Sequence, residues 1–154
     1  MSATLEGVID GVKSAIAGID GTGSYNFDLS GTDLVQIADI PEGAVPYGTR
    51  AWIQFQGFQS TPDGACLGHY RRTATMSVIG TTTDGTTEKR LDGAAKLLED
   101  FARALESDRT LGGLVYDLTL TNTDVIAGAE LGIVGPAFCA VVLSLTWSER
   151  AVGA

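Results

Sequence analysis

The sequence predicts an α+β fold: a mainly antiparallel, mixed β-sheet with two helices packed on one face, in a single domain over residues 1–154. Three observations predict it. Two stretches carry apolar residues at steps of three and four, the spacing of one helical face. Several others alternate apolar with polar residues, the period of a half-buried strand. Their order is helix, several strands, helix, strand, strand, which suits helices gathered on one side of a hairpin-built sheet. The length, 154 residues, fits one core, and 44% apolar against 19% charged residues is enough to bury one.

The first helix is read from Leu5, Val8, Ile9, Val12, Ile16 and Ile19, which form one stripe. Ser2 or Thr4 caps its start, and Gly18, Gly21 and Gly23 end it. Gly7 and Gly11 inside it each cost about 1 kcal/mol relative to Ala, so the helix depends on tertiary packing. Residues 24–29 alternate Tyr25, Phe27 and Leu29 with polar positions and predict a strand. A short extended piece is expected within 33–40, then a loop marked by Pro41, Gly43, Pro46 and Gly48. Residues 51–58 read as a strand bearing Trp52, Ile53, Phe55 and Phe58, followed by a turn over 60–68.

Residues 69–82 form a long strand pattern, with Tyr70, Ala74, Met76 and Val78 on one face and Arg71, Thr73, Thr75 and Ser77 on the other. The strongest helical pattern opens at Thr86, with Leu91, Ala94, Ala95, Leu98, Phe101, Ala102 and Leu105 as its buried stripe. Glu99, Asp100 and Glu106, mixed with Lys and Arg, read as its solvated face. A break at 110–113 precedes a strand over 114–121 and a long loop over 122–136. Residues 137–147 are the last strand.

The charge excludes several functions. Ten basic against nineteen acidic residues give a net −9. Binding nucleic-acid phosphates needs a basic face, and so does binding an anionic membrane. The ten cations are scattered, so neither partner is expected. The longest apolar runs are too short to span a bilayer, and no signal-peptide pattern opens the chain, so synthesis in the cytoplasm is expected. Cys66 and Cys139 lie in no Cys-x-x-Cys pair and are expected to be reduced, structural thiols.

Catalytic patterns are missing. His69 is the single histidine, and with Cys66 three residues away it falls short of the three or four ligands a metal needs. Gly18, Gly21 and Gly23 lack the Lys-Ser/Thr of a phosphate loop and close a helix instead of opening one. Residues 84–89 place Lys89 where a calcium loop requires Gly. No catalytic residue, metal or cofactor is therefore expected. Arg71 and Arg72, beside Tyr70, suit either a structural role or a salt bridge between subunits.

One segment is less generic. Residues 104–115, Ala-Leu-Glu-Ser-Asp-Arg-Thr-Leu-Gly-Gly-Leu-Val, join the second helix to a strand. Asp108, Thr110, Leu111, Gly112, Gly113 and Val115 resemble the helix–"D-x-T-L-G-G-x-V"–strand joint of the tail terminator (tail completion) proteins of long-tailed bacteriophages. Chain length, the opening amphipathic helix, the aromatic stretch at Tyr25 and Phe27 and the closing apolar strand are similar in layout. On physical grounds Asp108 should bond nearby amides in an Asx turn, and Gly112 and Gly113 should permit positive φ. Leu111 should return to the core, and Val115 should lead into the sheet.

The resemblance implies a structural subunit without catalysis or cofactor. It forms a ring, usually a hexamer, that caps the tail tube at the neck end of the virion and ends tube polymerisation. It then offers a surface to the head-completion (stopper) protein of the connector. DNA crosses the channel as cargo, without sequence-specific binding, and no membrane is involved. A closing ring needs heterologous contacts. Apolar residues in long loops are the candidates: Val45, Tyr47 and Trp52 in one set, Val125, Ile126, Leu131, Ile133 and Val134 in the other. Each set also suits packing against its own core. The acidic balance suits a wall that repels phosphate. The alternatives are a tail tube subunit or another neck protein and, from a different class, a small ligand-binding or enzymatic α+β domain.

Overall fold

The computed structural model describes residues 4–39, 46, 48–65, 67–83, 87–127 and 136–150. Helix α1 (Leu5–Ala17) starts at Thr4, whose side chain accepts the Gly7 amide at 3.1 Å, and stops at Gly18, whose N–H bonds back to Ser14 and Ile16. Its stripe is buried at Val8, Val12 and Ile16. Strand β1 (Val35–Ile37) is short. Strands β2 (Arg50–Pro62) and β3 (His69–Thr82) form a long hairpin. Helix α2 (Thr87–Glu106) follows, then β4 (Asp117–Ala127) and β5 (Ala137–Arg150).

The five strands form one sheet in the order β1-β2-β3-β5-β4. Only β1 pairs parallel, with β2, so the sheet is mixed and mainly antiparallel, as expected. Both helices pack against it, and their buried residues join those of the sheet in one core. Ala74, Met76 and Val78 of β3 lie beside Leu145, Leu143 and Val141 of β5, and all six are buried. Above them sit Leu97, Phe101 and Leu105 of α2 and the α1 stripe. Gly80 brings α2 down onto the sheet: a Cβ there would lie 2.5 Å from Leu97 Cδ2 and 2.7 Å from Phe101 Cζ. Gly11 has a comparable role, because a Cβ there would lie 3.0 Å from Leu114 Cδ1. Among the described residues no helix is long and apolar enough to cross a membrane. Cys139 is a free, buried thiol whose pKa burial pushes up to about 12, which leaves it inert at neutral pH.

Several expectations need correction. Residues 24–29 form no strand; they make only an isolated bridge, Asp28 to Asp20. Tyr25 and Phe27 nevertheless pack against the core and Leu29 is buried, so the alternation was real but found no ladder partner. The turn expected from residue 60 begins later, because β2 runs to Pro62 opposite Tyr70. The strand expected at 114–121 is Asp117–Ala127, and the first residues of the expected loop are its second half, paired with β5. A register shift between Leu120 and Asn122 breaks the alternation there, which hides the strand from a period-two reading. The stripe of α2 is also rotated: Leu97 and Ala104 are buried, and Ala95 is exposed. Asp100, expected on the solvated face, has no exposed surface.

Candidate functional site

The joint between α2 and β4 is a chain reversal held by one carboxylate. Asp108 Oδ1 accepts from the Thr110 amide (3.0 Å) and hydroxyl (2.7 Å), and Oδ2 accepts from the Gly112 amide (2.7 Å). These bonds, led by the Thr110 hydroxyl, hold its pKa below 3.8. Thr110 Oγ1 in turn accepts the Gly113 amide, and the Thr110 carbonyl accepts from Gly113 and Val115. Leu111, Gly112 and Gly113 follow one another at φ 50°, 71° and 90°. That left-handed run is costly for residues bearing a Cβ, so the two glycines are required and Leu111 is held there by its surroundings. Leu111 packs against the core and Val115 is buried. All six motif residues thus act in one turn, with the Asx geometry expected of Asp108.

Arg109, which the sequence reading passed over, clamps the same joint to β4. Its guanidinium lies 3.0 Å from Asp117 and its Nε donates to the Leu118 carbonyl at 3.2 Å. Beside the joint a groove of about 540 Å³ runs between α1 and α2. Gly11, Ala15, Gly18, Ala104, Leu111 and Leu114 give it an apolar lining, with Ser14, Ser107 and Asp108 as polar members. Asp108 is already committed to the turn, and Ser107 donates to the Ala104 carbonyl. Convergent free polar groups of the kind a small-molecule site needs are therefore few.

A pH prediction follows from Asp108. A carboxylate whose folded pKa is depressed stabilises the fold above its unfolded value and loses that contribution as pH falls through the folded value. The stability gap between wild type and Asp108→Ala is expected to be full at neutral pH and to close as pH drops below 3.8. Chemical denaturation across a pH series measures it. A gap independent of pH would show that the carboxylate charge plays no part.

The second feature is the sheet face that carries no helix. Cross-strand neighbours share a face, so Gln59, Thr73, Thr146 and Asp117 form one row and Gly57, Thr75, Ser144 and Thr119 the next. Beyond the register shifts come Gln54, Ser77, Val142 and Asn122, then Trp52, Ile79, Ala140 and Asp124. Hydroxyl and amide groups dominate, the carboxylates are Asp117 and Asp124, the cations in these registers, Arg50 at one end and Arg71 and Arg150 at the other, lie at the ends, and Arg109 reaches Asp117 from the joint.

The interface candidates divide. Trp52 is on this face but buried within its own chain, as is Phe138. Val125 is half-buried, and cross-strand from Cys139 it packs on the core side. Ile126 is paired with Phe138 in β4, so it is a strand residue and not part of a loop. Val45, Tyr47, Leu131, Ile133 and Val134, like Cys66, lie outside the described residues.

At the far end of the β2–β3 hairpin, Ser148 Oγ donates to Asp63 Oδ2 at 3.2 Å and lies 3.4 Å from His69 Nδ1. A nucleophilic triad places His between Ser and Asp. Here Ser148 stands in the middle and directs its proton at Asp63, so the trio is a structural tie. Arg72 stacks near the Phe58 and Tyr70 rings (5.5 and 5.2 Å) and pairs with Glu149, which makes it structural within the chain. Among the described residues no group of three or more His, Cys, Asp or Glu is placed to hold a metal. No protein-family model matches the chain, and no curated protein matches its sequence.

Proposed function

We propose that this chain is the subunit of a ring that caps the tail tube of a long-tailed bacteriophage, ends tube polymerisation and presents a surface to the connector. The observation that carries the reading is the helix-free sheet face. Its hydroxyl, amide and carboxylate surface, with Arg50, Arg71 and Arg150 at its ends and Arg109 tied to Asp117, is the chemistry of a wall that DNA slides past. Gripping phosphate takes clustered Lys and Arg, and carboxylates repel it. The Arg109 guanidinium is engaged by Asp117 and so is not free to grip phosphate. The ordered Asp-x-Thr-Leu-Gly-Gly turn, the motif behind the family resemblance, supports the same reading. The chain's role is mechanical, without turnover, and its partners are further copies of itself, tube protein and a head-completion protein.

Electron microscopy of the purified full chain, alone and co-expressed with a tail tube protein from the same genome, tests this. Discrete rings, or tubes closed at one end by a ring, are expected. A particle that stays monomeric even with tube protein would sink the proposal. Long filaments of the chain alone would make it a tube subunit instead.

A further inference from the structure

Besides the three-residue β1, two strands carry an outer edge beside which no other described strand lies. Among the described residues β1 covers β2 only at Ala51–Ile53, which leaves β2 without an outer strand partner from Gln54 to Pro62. β4 ends the sheet; Arg109 already takes its Leu118 carbonyl and Asp124 Oδ1 its Val125 amide, and from Thr119 to Asp124 no strand among the described residues lies on its outer side. An unpaired edge of this length exposes a row of amides and carbonyls that templates another strand. We infer that these two edges join neighbouring copies: β2 of one chain pairs with β4 of the next, which continues one sheet around the ring. The inference rests on the ring reading above and names the contact that closes it.

Strand direction supports it. β2 and β5 both run opposite to β3, and β4 runs opposite to β5. β2 and β4 therefore point in opposite directions. A ring axis along the strands preserves those directions from copy to copy. The next β4 then arrives antiparallel to β2, the arrangement whose ladder bonds are straightest. Being different strands, the two edges make a heterologous contact, the kind that builds rings.

Charge selects the partner. β4 carries Asp117, which pairs with Arg109, and Asp124, and has no cation of its own, so two β4 edges in twofold pairing would bring carboxylates together. Between Ala51 and Pro62, β2 has no charge at all, and its hairpin partner adds Arg71 and Arg72 beside the bare segment.

Apolar surface points the same way. Phe55 and Phe58 are 46% and 43% exposed, yet their cross-strand partners Met76 and Ala74 are fully buried. Both rings thus stand on the helix-bearing side, beyond the cover of their own helices. A neighbouring β4 would bring Leu118, Leu120 and the α2 packed over them alongside these rings.

Disulfide trapping tests the pairing. In a Cys66→Ser background, Gln59→Cys is combined in turn with Thr119→Cys, Asn122→Cys or Asp124→Cys, all on the helix-free face. Within one chain β3 and β5 separate the two sites by about 14 Å, three strand spacings. A disulfide spans Cα atoms only about 4.4–6.8 Å apart, so any bond formed links two copies. On oxidation of the full chain, with tube protein present, at least one double variant is expected to give a ladder of multimers on a non-reducing gel, and the single variants none. Rings visible by electron microscopy without a ladder from any pair would overturn the inference and leave the ring reading standing. Dimers from a single β4 cysteine would overturn it in favour of twofold β4 pairing. A ladder from samples that form only filaments would uphold the edge contact and remove the terminator reading. Monomers without a ladder would overturn both.

Discussion

Phe101→Ala is expected to lower the unfolding free energy by about 3–5 kcal/mol. Phe101 is fully buried and lies where α2 meets the sheet. Gly80 beneath it has no side chain, so the sheet carries no group directly under the ring to fill the space it leaves. That rigidity puts the cost toward the upper end, because a cavity is cheaper when its walls relax. Urea denaturation of the variant measures it. A loss below about 1 kcal/mol would mean that α2 does not sit on the sheet through this residue.

Asp100→Ala should be the next most damaging change, with a loss of about 3 kcal/mol. The carboxylate accepts from the Asn26 amide at 3.0 Å with both oxygens, from Asn26 Nδ2 at 3.0 Å and from the Phe27 amide at 2.9 Å. Arg103 stands 3.8 Å away as its charge partner. Hydrogen bonds to a charged group contribute about 1.5–3 kcal/mol each, and removing the acceptor strands part-buried backbone donors at about 1–3 kcal/mol apiece. These terms overlap, so the total stays well below their sum. Glu99→Ala, one residue away and exposed, is the control and should change stability by no more than about 0.5 kcal/mol. Equal effects from the two variants would show that the segment from Tyr25 to Phe27 is not pinned by Asp100.

Asp100 also shows why sequence reading stopped where it did. Local charge mixing on α2 placed it with Glu99 and Glu106 on a solvated face. Its partners are 73 and 74 residues away in sequence, in a segment read as a strand. That segment lacks a ladder because this carboxylate takes its Asn26 and Phe27 amides, the Thr22 carbonyl takes that of Tyr25 and the Ile19 carbonyl that of Leu29. One long-range interaction accounts for both misreadings.

The joint was legible for the opposite reason. Asp108, Thr110, Gly112 and Gly113 interact within five residues, so the turn chemistry is written where it acts. Arg109 was missed because its partners Asp117 and Leu118 lie on the far side of the turn. The interface candidates fared unevenly because apolar content cannot distinguish an exposed side chain from one folded onto its own core. Trp52 turned out to be the second kind.

By itself the sequence determined the types and order of the main elements, the candidates for the caps of α1 and the Asx turn. Each depends on residue spacing or composition over a few turns of chain. The tertiary structure decided where strands end, which way β1 pairs, how α2 is rotated and which sheet edges have no strand beside them among the described residues. Those depend on which distant segment supplies a hydrogen-bond or packing partner. β4 runs through residues 122–127, a region that looked like loop, because β5 supplies a ladder for it, whereas residues 24–29 alternate like a strand and have none.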